Sequence, residues 1–317
     1  MTPGRFPLLH GLDAAAIDSL GLTESPVAFA AGDALFRQGD VSTGLYLIDE
    51  GVVRLRGRTP GDGHVDLALL GPGETVGEFS LLDGGPRSAS AFADTPVRGW
   101  RIGRERFNAL SISGDPAALA IMHRLRIEVA ERTRATVEDI HAALSSGAGV
   151  SRPLGQHQLN RSGAVTDAED LLRHFPAFAR LTSDDWAEFA TLATRVDAPR
   201  GTMIADAGQA PDHLLIVARG AVRVGVSHPS GGIEQMLLHG PGSFSGVAAM
   251  LDGKMTAFVR DVREDAVLLM VDRAGFDQLS SGATPLGRKL FAAIGQQMVR
   301  DMRRLSRLLG RLRGEVS

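Results

Sequence analysis

Displaced by 169 positions, the chain lands on itself without a gap. Phe6-Pro7 falls on Phe175-Pro176, Gly32 on Gly201, Gly39 on Gly208 and Gly51 on Gly220. Gly63, Gly71, Gly73, Gly77 and Gly84 fall on Gly232, Gly240, Gly242, Gly246 and Gly253, and Phe107, Leu110 and Pro116 on Phe276, Leu279 and Pro285. No insertion is needed between Phe6 and Pro116. So many turn residues in register mark a duplicated domain, and the chain must fold as two copies of one unit.

Each copy reads alike. A short amphipathic helix opens it, at Asp13–Leu20 and at Ser183–Ala193. Short apolar or alternating runs follow, each bounded by Gly, Pro or Asp, as strands of a compact β unit are. They are Leu45–Ile48, Val52–Leu55 and Val65–Leu70 in the first copy, and Leu214–Ala218, Ala221–Val226 and Ile233–Leu238 in the second. A long helical pattern closes each copy near Pro116 or Pro285, proline being suited to a helix's first turn. Between them, Leu144–Ser162 loses periodicity and is rich in Gly, Ser, Gln and Pro. The expected division is a first domain at 1–144, a flexible linker at 145–168 and a second domain at 169–317. The fold class is α+β, mainly β.

At 317 residues, with 44% apolar and 22% charged content, the chain fits two soluble domains. It holds no cysteine, which removes disulfides, thiolate metal sites and cysteine nucleophiles. A net charge of −3 lacks the basic surplus usual for nucleic-acid binders. No apolar run is long enough to span a membrane, and the N-terminus lacks a secretory pattern, so a cytoplasmic location is expected.

Chemistry concentrates in Gly77-Glu78-Phe79-Ser80-Leu81-Leu82-Asp83-Gly84-Gly85-Pro86-Arg87-Ser88-Ala89. A helical turn after Gly77 would leave backbone amides unpaired, a setting that favours an anion. Arg87 offers a bidentate cationic fork, Ser88 a hydroxyl donor, and Glu78 an acceptor for a sugar hydroxyl. Together they describe a nucleotide pocket.

This stretch resembles the phosphate-binding cassette of cyclic-nucleotide-binding domains, which runs Gly-Glu, a few mostly apolar residues, then Arg-Ser/Thr-Ala. The family includes bacterial catabolite activators, regulatory subunits of cyclic-AMP-dependent kinase and ligand-gated channels. The resemblance implies a β-roll, or double-stranded jelly roll, closed by a long C-terminal helix. It implies that Glu78 takes the ribose 2′-hydroxyl and that Arg87 and Ser88 hold the cyclic phosphate. The segment Gly77, Glu78, Phe79, Ser80, Arg87, Ser88 and Ala89 thereby becomes the candidate site, with cyclic AMP, or alternatively cyclic GMP, as ligand. In catabolite-activator-like proteins the long helix forms the dimer seam and lays a polar residue against the base. Counting from Pro116, Thr133 falls at that position.

The same register empties the second copy. Glu78 becomes Val247, Arg87 becomes Thr256 and Ser88 becomes Ala257, while Gly77 persists as Gly246. A degenerate domain is expected there, retained for packing, dimerisation or partner contact. Its closing helix, Pro285–Arg313, carries Phe291, Ile294, Met298, Met302, Leu305, Leu309 and Leu312 on one face among many arginines. Such a stripe is a helix–helix seam or a basic surface for an acidic partner or an anionic membrane.

No catalytic constellation or metal-ligand spacing stands out, so an enzyme, a metal or a cofactor is not expected. A second roll stands where a catabolite activator carries its helix-turn-helix, which argues against direct DNA binding. The expected function is a cyclic nucleotide sensor, binding in the first roll and relaying to a protein partner or homodimer interface through the second. The rivals are a transcription regulator reading DNA through a non-standard surface, and a ligand-independent structural or membrane-adaptor scaffold.

Overall fold

The structure, a computed structural model, describes residues 3–22, 24–58, 64–144, 160–161, 166–210, 212–227 and 232–312. It divides into two units, Met1–Leu125 and Arg126–Glu315.

In the first unit, α1 (Ala14–Ser19) starts where Asp13 accepts a 2.8 Å hydrogen bond from the Ala16 amide, satisfying one of the free donors of a helix start. Strands β1 (Pro26–Phe29), β2 (Ala34–Phe36), β3 (Gly44–Glu50), β4 (Val53–Arg58), β5 (His64–Leu70) and β6 (Thr75–Val76) follow. Then come the short α2 (Phe79–Asp83), β7 (Ser90–Ala93), β8 (Val97–Gly103) and α3 (Arg104–Ser113). The strands form two four-stranded antiparallel sheets, ordered β1-β8-β3-β6 and β2-β7-β4-β5. Tyr46, Ile48, Val76 and Val97 from one sheet meet Leu35, Val53, Ala91 and Ala93 from the other, and this contact is the core of the roll. The chain leaves β3 for β4 at Gly51, whose φ of 87° and closeness to the Pro96 carbonyl leave no room for a side chain.

Helix α4 (Pro116–Leu144) crosses the division between the units. The second unit continues with β9 (Asn160–Arg161), α5 (Thr166–Leu172), α6 (Ser183–Leu192), β10 (Ala193–Ala198), β11 (Met203–Ala205), β12 (His213–Ser227), β13 (Ile233–His239) and β14 (Phe244–Ser245). It closes with α7 (Val247–Asp252), β15 (Val259–Asp272), α8 (Arg273–Ser280) and α9 (Pro285–Leu312). Its strands join in one seven-stranded sheet, ordered β13-β12-β15-β10-β9, with β11 on β15 and β14 on β12. The same roll is drawn with longer strands: β12 runs through the place where β3 gives way to β4, bending at register shifts around Arg219 and Ala221. Val196, Leu215, Val217, Val222, Val262 and Leu268 fill its core. Helix α6 begins with a reciprocal cap in which Thr182 and Asp185 bond each other's backbone amides.

Two expectations from the repeat change here. The C-terminal part of α4 belongs to the second unit, because Val137 and Ile140 are buried in one cluster with Val224, Val226, Leu237 and Leu305. The helix pattern gave no sign of this, since it is continuous from Pro116 onward. Within the expected linker 145–168, Asn160–Arg161 pairs with Val196 and Asp197 of β10, and α5 starts at Thr166. The rest of that linker lies outside the described residues. The apolar stripe of α9 is used within its own unit: Phe291, Ile294, Met298, Met302 and Leu305 are buried, and Leu312 at the far end is exposed. Among its basic residues, Lys289 pairs with the buried Asp185 and Arg288 donates to the carbonyls of Gly282 and Ala283. Among the described residues, no helix is long and apolar enough to cross a membrane.

Candidate functional site

The first roll brings Gly77, Glu78, Phe79, Ser80, Arg87, Ser88 and Ala89 together around α2. Gly77 turns the chain with φ 94°, and a Cβ there would collide with the Arg87 guanidinium. Only glycine combines that φ with so close an approach. Helix α2 ends at Gly84, again left-handed, after one turn. The chain then returns through Arg87, whose amide donates to the Asp40 carbonyl at 2.9 Å and whose carbonyl accepts from the Gly39 amide at 3.0 Å.

Arg87 is the centre of the arrangement and only 4% exposed. Nη1 donates to the Gly77 carbonyl at 3.1 Å and to Ser80 Oγ at 2.9 Å, and Nη2 donates to the Gly44 carbonyl at 2.6 Å. The guanidinium lies 4.0 Å over the Phe36 ring. Its Nε is buried and makes no hydrogen bond. All these partners are neutral, and burial pushes the guanidinium below the usual arginine range, with Tyr46 and Glu78 acting in the opposite direction. Ser80 Oγ also lies 2.8 Å from Ser42 Oγ, so a small polar floor sits beneath the cation. Glu78 is buried at the start of α2, Ala89 is buried, and Ser88 is exposed. A desolvated cation fixed by neutral dipoles, with an open hydroxyl next to it, is suited to a monoanion.

Thr133 does not join this group. It belongs to the second unit, where its Oγ1 donates to the Val129 carbonyl at 2.7 Å and lies 3.6 Å from Met302 Sδ, on the wall of a cavity in the second roll. A residue count along a helix fixes its face but not the body that the face packs against.

The second roll keeps the backbone of the cassette. The Thr256 amide donates to the Gln209 carbonyl and the Gly208 amide to the Thr256 carbonyl, both at 2.9 Å, repeating the bonds of Arg87. Thr256 therefore stands at the backbone place of Arg87. Yet a guanidinium does flank Gly246, as Arg87 flanks Gly77, and it comes from Arg260 on β15. The register explains how. Phe36 pairs with Ala91 across β2 and β7, and the corresponding pair across β11 and β15 is Ala205 with Arg260. The large and small members have exchanged strands, and the new large member is charged. Sequence reasoning centred on the cassette missed Arg260, although the reciprocal change at two repeat positions was there to be read.

His213 sits beside this arginine. It is 8% exposed, its Nδ1 pairs with Asp212 and its Nε2 is buried without a partner. Burial first, and the Arg260 charge second, hold its pKa below the ordinary 6.5, against the pull of Asp212. The unfolded chain therefore takes up a proton near pH 6.5 that the folded chain refuses. Stability is full above that pH and falls below it, until the folded group titrates as well. The urea midpoint of the wild type is expected to drop between pH 7.5 and 5.5 by more than that of His213→Gln. Equal drops would refute the assignment.

Comparison with known proteins places these observations. The model of the family "Cyclic nucleotide-binding domain" matches residues 26–112 and 195–282, more than half of the chain and both rolls. The cyclic AMP receptor protein of Thermus thermophilus is 42% identical over 104 residues, covering 33% of this chain and 48% of that protein. The type II regulatory subunit of cAMP-dependent protein kinase from Drosophila melanogaster is 39% identical over 62 residues, covering 20% of this chain and 16% of that one. Among solved structures, the regulatory domain of Toxoplasma gondii PKA with cAMP is 16% identical and covers 86% of each chain, with a TM-score of 0.32. The chain spans about half the length of the first curated relatives it matches.

Proposed function

The chain belongs to the cyclic nucleotide-binding domain family, and from that premise we propose that it is a cyclic nucleotide sensor whose first roll takes cyclic AMP. The observation that carries the reading is the buried Arg87, held by neutral partners with its Nε unsatisfied. A cyclic phosphate supplies the missing negative charge, and Ser88 adds a hydroxyl donor at the exposed side. Glu78, buried at the head of α2, is the acceptor for a ribose hydroxyl. Cyclic AMP is preferred to cyclic GMP because relatives 42% and 39% identical bear the name of cyclic AMP, whereas a relative that bears the name of cyclic GMP is 23% identical.

Helix α4 is the proposed relay, since it starts in the first unit and is built into the core of the second. A ligand acts on it only through unequal affinity for two arrangements of the chain. The recipient of the signal is a protein partner or a second copy of this chain.

Calorimetric titration tests the reading. Cyclic AMP is expected to bind saturably at one per chain, more tightly than cyclic GMP. No heat and no thermal shift with either nucleotide would remove the sensor and leave a scaffold.

A further inference from the structure

The second roll contains a cavity of about 80 Å³ bounded, among the described residues, by its own unit, roomy on a scale where one water needs roughly 10–15 Å³. Its walls are mostly apolar, with Val224, Leu237, Phe244, Val247, Phe258 and Ile294 among them. Against these walls stands Arg260, 5% exposed, with both Nε and Nη1 buried and unpartnered. The hydroxyl of Ser245, fully buried on the same wall, has no partner either. Buried polar atoms are nearly always satisfied, so two such groups facing one cavity ask for a third party. The acid on the wall, Asp301, is already engaged: it shares a hydrogen bond with His239 at 3.2 Å, accepts from Gln297 at 3.1 Å and lies 3.8 Å from Arg304. It gives Arg260 no hydrogen bond, and the exposed Asp212, which pairs with His213, acts on Arg260 only through space.

The walls also say what the third party is not. Val247 stands where the first roll has Glu78, so no carboxylate at that place reads a sugar hydroxyl. Ala249 and Ala257 replace Ser80 and Ser88. Of the other polar side chains on the wall, Arg134 is paired with Asp252, and His239, Gln297 and Asp301 bond one another, which leaves Arg260 as the cation without a hydrogen-bonded acid.

We infer that the second roll binds a small organic carboxylate with an alkyl or aryl body, its charge on Arg260 and its body against the apolar walls. This site is separate from the first-roll nucleotide site and does not depend on it. The second roll then reports a different chemical signal from the first, instead of serving only as packing.

The test uses the whole chain saturated with cyclic AMP, with benzoate and octanoate as probes and benzamide and octanamide as their uncharged counterparts. At least one carboxylate is expected to bind saturably at one per chain and to raise the melting temperature. Its amide counterpart is expected to bind at least tenfold more weakly. Arg260→Met should remove the response while leaving cyclic AMP binding intact, and Arg87→Ala, titrated without cyclic AMP, should leave the carboxylate response intact. Ala257→Leu, which narrows the cavity without touching the charge, should also remove it. The inference fails if neither carboxylate binds, if the amide binds as well as the acid, or if Arg260→Met responds like the wild type. It fails equally if cyclic AMP itself occupies two sites per chain with the second lost in Arg260→Met, because the second roll would then be a nucleotide site.

Discussion

Arg87→Thr is expected to lose cyclic AMP binding by a factor of one hundred or more while keeping the fold. Charge-assisted hydrogen bonds contribute about 1.5–3 kcal/mol each, and a bidentate fork on phosphate makes two of them. Losing both, about 3–6 kcal/mol, lowers affinity roughly 10²- to 10⁴-fold. Threonine is chosen because the second roll already carries it, as Thr256, with both flanking backbone bonds intact. The variant also relieves a buried cation, so its melting temperature should stay close to that of the wild type. Titration calorimetry with circular dichroism decides the matter. A dissociation constant within tenfold of the wild type would move the phosphate contact away from Arg87.

The second large effect concerns where the second domain begins. A fragment of residues 169–317, the boundary that the repeat alone suggests, is expected not to fold stably, whereas 126–317 should melt cooperatively. Val137 and Ile140 are buried against Val224, Val226, Leu237 and Leu305. Each side chain of that size contributes about 1.5–3 kcal/mol when fully buried, against a total domain stability of about 5–15 kcal/mol. Arg134 adds a polar anchor, its guanidinium meeting the buried Asp252 carboxylate at 2.9 Å and the Met255 carbonyl at 2.6 Å. By contrast, the exposed pair of Lys254 with Glu131 adds little. Thermal melts of the two fragments, followed at far-ultraviolet wavelengths, give the answer. Matching cooperative transitions would mean that α4 is dispensable to the second roll.

Much of this is legible in the sequence alone. Turn glycines in register revealed the duplication, because Gly51, Gly77, Gly220 and Gly246 occupy backbone conformations that other residues rarely adopt. Asp13 and Pro116 marked helix starts through local chemistry that needs no partner. What stayed hidden was tertiary. The amphipathic pattern of α4 shows an apolar face at Val137 and Ile140 but not which roll it covers, and the count from Pro116 does not tell that Thr133 lines the cavity of the second roll. In the cassette of the second roll Thr256 replaces Arg87, whereas the cation re-enters four positions later, at Arg260 on β15. Contact between β11 and β15 is what brings Arg260 to Gly246, and that is a property of the sheet.

The exchange of Phe36 and Ala91 for Ala205 and Arg260 also bears on how two such rolls could have diverged. Neither step is neutral by itself. Losing the aromatic ring first leaves a hole of the kind that costs about 3–5 kcal/mol, and adding the arginine first forces a long charged chain into a filled core. The two changes are therefore epistatic, each tolerable mainly in the presence of the other, whichever roll preserves the older state. A route between them crosses a weakened intermediate. In a duplicated chain that crossing is survivable, because one roll can hold the inherited ligand while its twin is briefly disabled and then acquires another.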